Sequence, residues 1–246
     1  MKRILIIGES CTDVYQYGDC NRLCPEAPVP VFKTIDKKTK NPGMAMNVWR
    51  NVNSISDIRC DIITNDNWQS ITKTRCVDIR TNYIIIRIDS LDDKYSRCEV
   101  KNIDFSKYEL VVISDYNKGF LSESDIKYIS QNSKVTFLDT KKILGDWCKD
   151  ITYIKINEFE YEKTKHKLDS TFEDKMIITL GPRGAKYKNK IYKVPKVEIK
   201  DTSGAGDTFI ASLAATYFKT NNIEESIDVA NKNATIVVQK KGVSVA

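Results

Sequence analysis

Asp201-Thr202-Ser203-Gly204-Ala205-Gly206-Asp207-Thr208-Phe209 is the stretch on which the reading of this chain turns. An apolar helical pattern follows it at once. Two glycines directly before a helix permit a tight turn and a close backbone approach. Free N–H groups at such a helix start face an anion, helped by the helix dipole. Asp207 beside that cradle would repel a resting phosphate. It can instead accept a proton from an attacking hydroxyl, as phosphoryl transfer requires. It can equally serve as an ordinary helix cap. From this stretch alone the two readings stand level. No Gly-x-x-x-x-Gly-Lys-Ser/Thr loop occurs, and Gly8 stands alone after the first apolar run. A Walker loop and a dinucleotide fingerprint are thus both excluded.

Outward from this stretch, apolar runs alternate with helical patterns. Residues 4–7, 58–63, 110–113, 135–138, 151–156 and 176–180 are continuous runs of the kind buried on both faces of a sheet. Helices are expected over 44–52, 124–130, 158–165, 207–218 and 223–238. This alternation predicts an α/β fold with a mostly parallel central sheet. Residues 14–32 and 73–89 alternate like exposed strands and are expected to form a small accessory sheet. Pro25, Pro28 and Pro30 confine the first of these to edges and turns.

The chain has 246 residues, 41% hydrophobic and 29% charged, which fits one folded domain over 1–246 and excludes disorder or a fibre. Its longest apolar runs fall far short of the roughly 20 residues of a membrane span, and the first residues read as a strand rather than a secretion signal. The net charge of +6, from 39 Lys+Arg against 33 Asp+Glu, is spread along the chain. No basic arm for nucleic acid is present, and a small anionic substrate suits the balance. Seven cysteines occur without a Cys-x-x-Cys pair, and His166 is the single histidine. A zinc site and a histidine-dependent hydrolase are disfavoured, and reduced thiols suit a cytoplasmic protein.

Separated motifs in a fixed order then decide by resemblance. They are Tyr17-Gly18, Arg22, Pro25-Glu26-Ala27-Pro28-Val29-Pro30-Val31, Pro42-Gly43-Met44-Ala45-Met46-Asn47-Val48, Thr72-Lys73-Thr74-Arg75, Ile86-Arg87-Ile88-Asp89, Ser114-Asp115-Tyr116-Asn117-Lys118-Gly119, Leu138-Asp139-Thr140-Lys141, Asn157-Glu158-Phe159-Glu160 and Ala230-Asn231. With residues 201–209 they resemble the ribokinase-like (PfkB-type) carbohydrate kinases along nearly the whole chain. The proline-rich stretch narrows the likeness to the branch that phosphorylates D-glycero-D-manno-heptose 7-phosphate.

The resemblance implies a three-layer ribokinase-like fold with a β-sheet lid over about 12–36 and 72–90. The open edges and apolar face expected of that small sheet predict a homodimer formed through it. The resemblance also implies ATP and Mg2+ as cofactors, with K+ as a further candidate. Asp207 matches the catalytic base, and Gly204, Ala205 and Gly206 the anion hole. Asp13, Asn47, Gly43, Asp115 and Lys118 match sugar-side positions, with Arg22, Lys73, Arg75 and Arg87 as cations for a substrate phosphate. Lys141, Asn157, Glu160, Thr179, Gly181, Gly184, Asn231 and Gly242 fall on the nucleotide side. Asn157 and Glu160 are expected to organise magnesium through water, and Asp201 to help hold a monovalent cation.

Three departures qualify the match. Met44 stands where the family has a second glycine. Residues 63–72 form only a short link where relatives carry a further helix and strand. The chain, ending at Ala246, carries neither a nucleotidyltransferase half nor its His-x-Gly-His motif. A kinase for another sugar, or a degenerate sugar or nucleotide binder, are the alternative expectations.

Overall fold

The computed structural model describes residues 2–240 and 242. The elements run β1 (Ile4–Gly8), β2 (Ser10–Asp19), β3 (Lys33–Met44), α1 (Ala45–Ile55), β4 (Cys60–Ile63), β5 (Thr72–Asp78), β6 (Ile84–Ser90), β7 (Leu110–Asp115), α2 (Glu123–Asn132), β8 (Thr136–Thr140), β9 (Tyr153–Asn157), α3 (Glu158–Thr164), β10 (Met176–Thr179), β11 (Ala185–Tyr187), β12 (Lys190–Tyr192), α4 (Ala205–Thr220) and α5 (Ile223–Val237). The large sheet has the order β12-β11-β10-β9-β8-β7-β1-β4. Its strands are parallel from β4 to β10, and only the β10–β11 and β11–β12 pairings are antiparallel.

Strand alternation builds the layers. Ile4 and Ile6 point into one core with Val112, Phe137, Val48 of α1, Leu213 of α4 and Ile227 of α5. Leu5 and Ile7 point the other way, against Val111, Leu138, Ile154, Ile126 of α2 and Phe105. Both faces of the sheet are thus covered, which is why these strands read as unbroken apolar runs. A Ser122–Asp125 capping box starts α2. No described helix is long and apolar enough to cross a membrane.

The small sheet has the order β3-β2-β5-β6. It differs from expectation at one place. Residues 20–32 form an exposed loop with a single bridge between Leu23 and Pro30, and the second strand lies over the polar stretch Lys33–Met44. The prolines cannot supply ladder N–H groups, while β3 gains its strand state by antiparallel pairing to β2. Asp13 lies inside β2.

Register sorts the two faces of this lid. Asp13 pairs with Lys73, Tyr15 with Arg75, Arg75 with Arg87 and Lys73 with Asp89, so these residues share one face. Val14, Thr74, Cys76, Ile86 and Ile88 share the other. The sheets join at two points. Only Glu9 separates β1 from β2, and β3 runs straight into α1 at Met44. There the Ala45 N–H donates to the Glu9 carbonyl at 2.9 Å, and the Met46 N–H to Ser10 Oγ at 3.0 Å.

Candidate active site

The junction of the two sheets, at the carboxyl ends of the central parallel strands, is where open α/β folds place ligands. Residues drawn from the whole chain meet there.

Gly204 caps α4 with φ 81°, a left-handed conformation that glycine adopts without strain. Asp207, in the first turn, does not cap its own helix. Its Oδ2 accepts from Asn47 Nδ2 at 2.9 Å and its Oδ1 from the Tyr116 hydroxyl at 2.6 Å. The helix-cap reading therefore fails. Asn47 is itself fixed: Asn51 donates to its carbonyl at 2.9 Å, and Asn51 Oδ1 accepts from Thr208 at 3.0 Å. Glu9, fully buried, holds the segment carrying Tyr116 by accepting the N–H groups of Tyr116 and Lys118 at 2.8 and 2.9 Å.

Burial pushes the Asp207 carboxyl up to about 6, against the hydrogen bonds from Asn47 and Tyr116, which pull it down. A base must be ionised, so kcat/KM should fall as pH drops through about 6. The stability consequence has the opposite sense. The folded state binds this proton more tightly than the unfolded chain, so its contribution is lost as pH rises from about 4 to about 6. A pH–rate profile with a flat acid side down to pH 5 would contradict the assignment.

Below the glycine turn lies a charge that sequence reading passed over. Lys155, buried in the middle of β9, has its Nζ 2.6 Å from Asp139 Oδ2 of β8. A Cβ placed on Gly206 would stand 3.0 Å from that Nζ, so the ammonium lies directly against the turn. A cavity of about 700 Å³ opens here, lined by Gly204, Ala205, Gly206, Asp207, Lys155 and Asp139. It continues past Lys141, Asn157, Thr179, Gly181 and Gly184 to Asn231. Val194, Pro195, Val197, Ile199, Ala234 and Val238 give its far end an apolar wall. Such a channel, charged at one end and apolar at the other, suits a nucleotide with its phosphates toward the glycines.

Asn157 and Glu160 form a helix capping box. Asn157 Oδ1 accepts the Glu160 N–H at 2.8 Å, and Glu160 Oε2 accepts the Asn157 N–H at 2.9 Å. Glu160 Oε1 also takes a hydrogen bond from Lys141, whose ammonium lies 5.7 Å from the Tyr116 ring centre. These oxygens have already spent a lone pair within the chain, and a hydrated divalent cation held through water fits them better than one bound directly. No group of three or more His, Cys, Asp or Glu side chains placed to hold a metal occurs among the described residues. Asp201 is engaged by the Ser203 N–H at 2.8 Å, the Gly242 N–H at 3.1 Å and the Tyr15 hydroxyl at 3.3 Å. Gly242, expected at the adenine, packs instead 3.8 Å from the Tyr15 ring, measured from an added Cβ, and lies outside the large cavity.

On the sugar side, Asp13 is buried and ion-paired to Arg75. A Cβ on Gly43 would stand 2.1 Å from Asp13 Oδ2, so only glycine fits beneath that carboxylate. Lys73 and Lys118 join the same region and both meet Asp92. Arg87 pairs with Asp89 and is half exposed. Arg22 lies exposed on the 20–32 loop. Asp115 turns away: Thr140 and Lys142 donate to it, the lysine at 2.6 Å, and it lines no part of the large cavity. Met44 is buried with φ 60° and ψ −134°, a conformation that strains a residue with a Cβ. It packs on Cys11, Ile71, Tyr95 and Tyr116, filling space that a glycine would leave open.

Comparison with known proteins agrees with this geometry. The pfkB family carbohydrate kinase model matches residues 57–246. The bifunctional protein HldE of Helicobacter pylori strain J99 is 31% identical over 300 aligned positions, covering 100% of this chain and 65% of that protein. The HldE of Helicobacter acinonychis is 30% identical with the same coverage. The chain thus spans about two thirds of the length of these relatives, and gaps open in it where they carry additional residues. Among solved structures, Thermotoga maritima ribokinase superposes with a TM-score of 0.75 at 18% identity, over 99% of this chain and 95% of that one. Escherichia coli phosphofructokinase-2 gives 0.73 at 13%, over 100% and 96%.

Proposed function

The chain belongs to the pfkB family of carbohydrate kinases, phosphotransferases that act on a sugar hydroxyl, and from that premise we propose that it phosphorylates D-glycero-D-manno-heptose 7-phosphate on its anomeric hydroxyl, using ATP. The observation that carries the catalytic part is Asp207, buried, aimed by Asn47 and Tyr116, and set beside the glycine turn. In this reading Asp207 takes the hydroxyl proton as the sugar oxygen bonds to the γ-phosphorus. The bond from that phosphorus to the bridging oxygen breaks, and ADP leaves. The N–H groups of the Gly204–Gly206 turn and the Lys155 ammonium face the charge that develops on the transferred group. A divalent cation bound with the nucleotide would neutralise phosphate charge, and Asn157 and Glu160 are the residues to hold it through water; Mg2+ is the expected ion. Asp13, Asn47 and Gly43 orient the sugar. A monovalent cation at Asp201 belongs to the same reading.

The heptose assignment draws on the likeness to the HldE proteins and on the basic face of the lid, with Lys73, Arg75 and Arg87 in register. Heptose 7-phosphate should be used ten- to about a hundredfold better than unphosphorylated heptose, ribose or fructose, since a charge-assisted phosphate contact contributes roughly 1.5–3 kcal/mol. Catalytic efficiency across these four sugars at fixed ATP and magnesium tests it. Ribose or fructose as the best substrate would overturn the heptose assignment. A degenerate binder has no use for an oriented buried base, which favours turnover.

The same reading includes a homodimer formed through the lid, in the cytoplasm. Ile86 and Ile88 stand exposed on the outer face of β6, the edge strand. An apolar edge strand invites pairing, and a second copy covers it symmetrically. Light scattering at micromolar concentration should return twice the mass of one chain, and Ile86→Lys should return the monomer.

A further inference from the structure

Two of the cations on the sugar side are held by one carboxylate of the chain. Lys73 Nζ lies 2.8 Å from Asp92 Oδ1, and Lys118 Nζ lies 2.5 Å from Asp92 Oδ2. The Tyr95 hydroxyl donates to Oδ1 at 2.9 Å. The lysines come from distant places, β5 and the turn after β7, and Asp92 from the turn after β6. A planar acid with each oxygen on a different ammonium reproduces what two oxygens of a phosphate monoester would do there.

Charge favours the exchange. Two ammonium groups face one carboxylate. Asp89, 3.9 Å from Lys73, is already bound by Arg87 at 2.8 and 2.9 Å. A dianion matches this pair better than Asp92 does. Burial opposes ionisation of Asp92, yet the hydrogen bonds from Lys118, Lys73 and Tyr95 hold its carboxyl below the usual range. The anion is therefore kept, but by groups a phosphate would also attract.

The cluster adjoins the reaction centre. Burial pushes the Cys11 thiol far up, and Asp13, Asp207 and Asp92 add to the push while Lys73 opposes it. Cys11 also packs in one cluster with Tyr116, which donates to Asp207, and Tyr95, which donates to Asp92, so the two carboxylates are linked through one packed group. Asp92 also sits in a turn outside the regular elements. Leu91 before it has φ 58°, a left-handed conformation that costs a branched residue strain, and is half exposed. Residues 94–99 after it form neither helix nor strand.

We propose that Asp92 is an internal stand-in for a phosphate monoester, and that the phosphate end of the substrate takes Lys73 and Lys118 from it as the Leu91–Asp92 turn swings outward. The identity of that substrate as a sugar phosphate rests on the kinase reading above; the exchange of anions does not. A sugar without a phosphate leaves Asp92 in place and the turn inward, so the same lysines that attract a phosphate dianion are withheld from monovalent anions such as chloride.

Calorimetric titration with inorganic phosphate at constant ionic strength tests the exchange. Asp92→Asn should bind phosphate at least tenfold more tightly than the native protein, and adding Lys73→Gln should abolish the gain. Equal affinity of the native protein and Asp92→Asn would overturn the proposal. A second measurement needs no variant. In the native protein, saturating phosphate should speed hydrogen exchange at the amides of residues 91–96, and unchanged or slower exchange there would count against it as firmly. Neither readout involves turnover, so phosphate exchange without phosphorylation of any sugar would refute the kinase reading and leave this one standing.

Discussion

Asp207→Asn should lower phosphoryl transfer by about 10²–10⁴-fold, the ordinary range for losing general-base assistance. The substitution is nearly isosteric. The amide oxygen can still accept from Asn47 Nδ2, and the amide nitrogen can donate to the Tyr116 hydroxyl, so the two partners that aim the side chain keep a hydrogen bond. The fold has no reason to change. Nor has nucleotide binding, because the apolar wall of the cavity around Val194, Val197 and Ala234 and the polar Asn231 are untouched. The check is a coupled ADP-release assay beside a fluorescent-nucleotide titration. Loss of rate with retained binding supports the base. Near-native turnover would remove Asp207 from the chemistry.

The largest expected effect on stability belongs to Lys155. With Asp139 it forms an ion pair from which water is almost excluded. Lys155→Met leaves Asp139 buried with its charge unmatched, which typically costs about 3–5 kcal/mol. Removing both charges, as Lys155→Met with Asp139→Leu, should recover much of that loss, because a well-packed apolar pair avoids the desolvation cost altogether. Urea unfolding of the two variants separates the outcomes. Equal destabilisation in both would mean that packing, and not charge, carries the penalty. The double variant should still be slow, since the ammonium beside Gly206 is gone.

Much of this was legible in the chain itself. The strands inside the large sheet read directly because both their faces are buried, which leaves unbroken runs such as Ile4-Leu5-Ile6-Ile7, while β4, at the edge of the sheet, is only partly covered. The glycine turn and its aspartate were legible as a unit because they are packed into one turn and the start of one helix, but that stretch left the base and the helix cap level, and the resemblance matched Asp207 to a base. What was not legible depends on partners far along the chain. Lys33–Met44 is a strand made largely of exposed polar residues, and only its ladder with β2 makes it one. The buried pair Lys155–Asp139 left one trace: a lysine set between Ile154 and Ile156 in an otherwise apolar run, where a solvated charge has no place. Glu9 and Asp92 left none, since a carboxylate that accepts backbone N–H groups or bridges two lysines looks in sequence like any surface acid. The Asn-x-x-Glu pair shows the reverse. Its spacing is that of a capping box as much as of a magnesium motif, and the structure contains the box.

Asp207 and the residues that hydrogen-bond it are far apart in the chain: Asp207 lies 160 positions after Asn47 and 91 after Tyr116. That spacing has a meaning in time as well as in space. A polypeptide emerging from the ribosome presents its lid, its sugar contacts and its apolar strands long before the helix that carries the base. Until α4 docks on α1, Asn47 and Tyr116 lack the carboxylate to which they donate. The helix that fills much of one core of the domain also carries Asp207, so packing that core and assembling the hydrogen-bonded carboxylate are coupled.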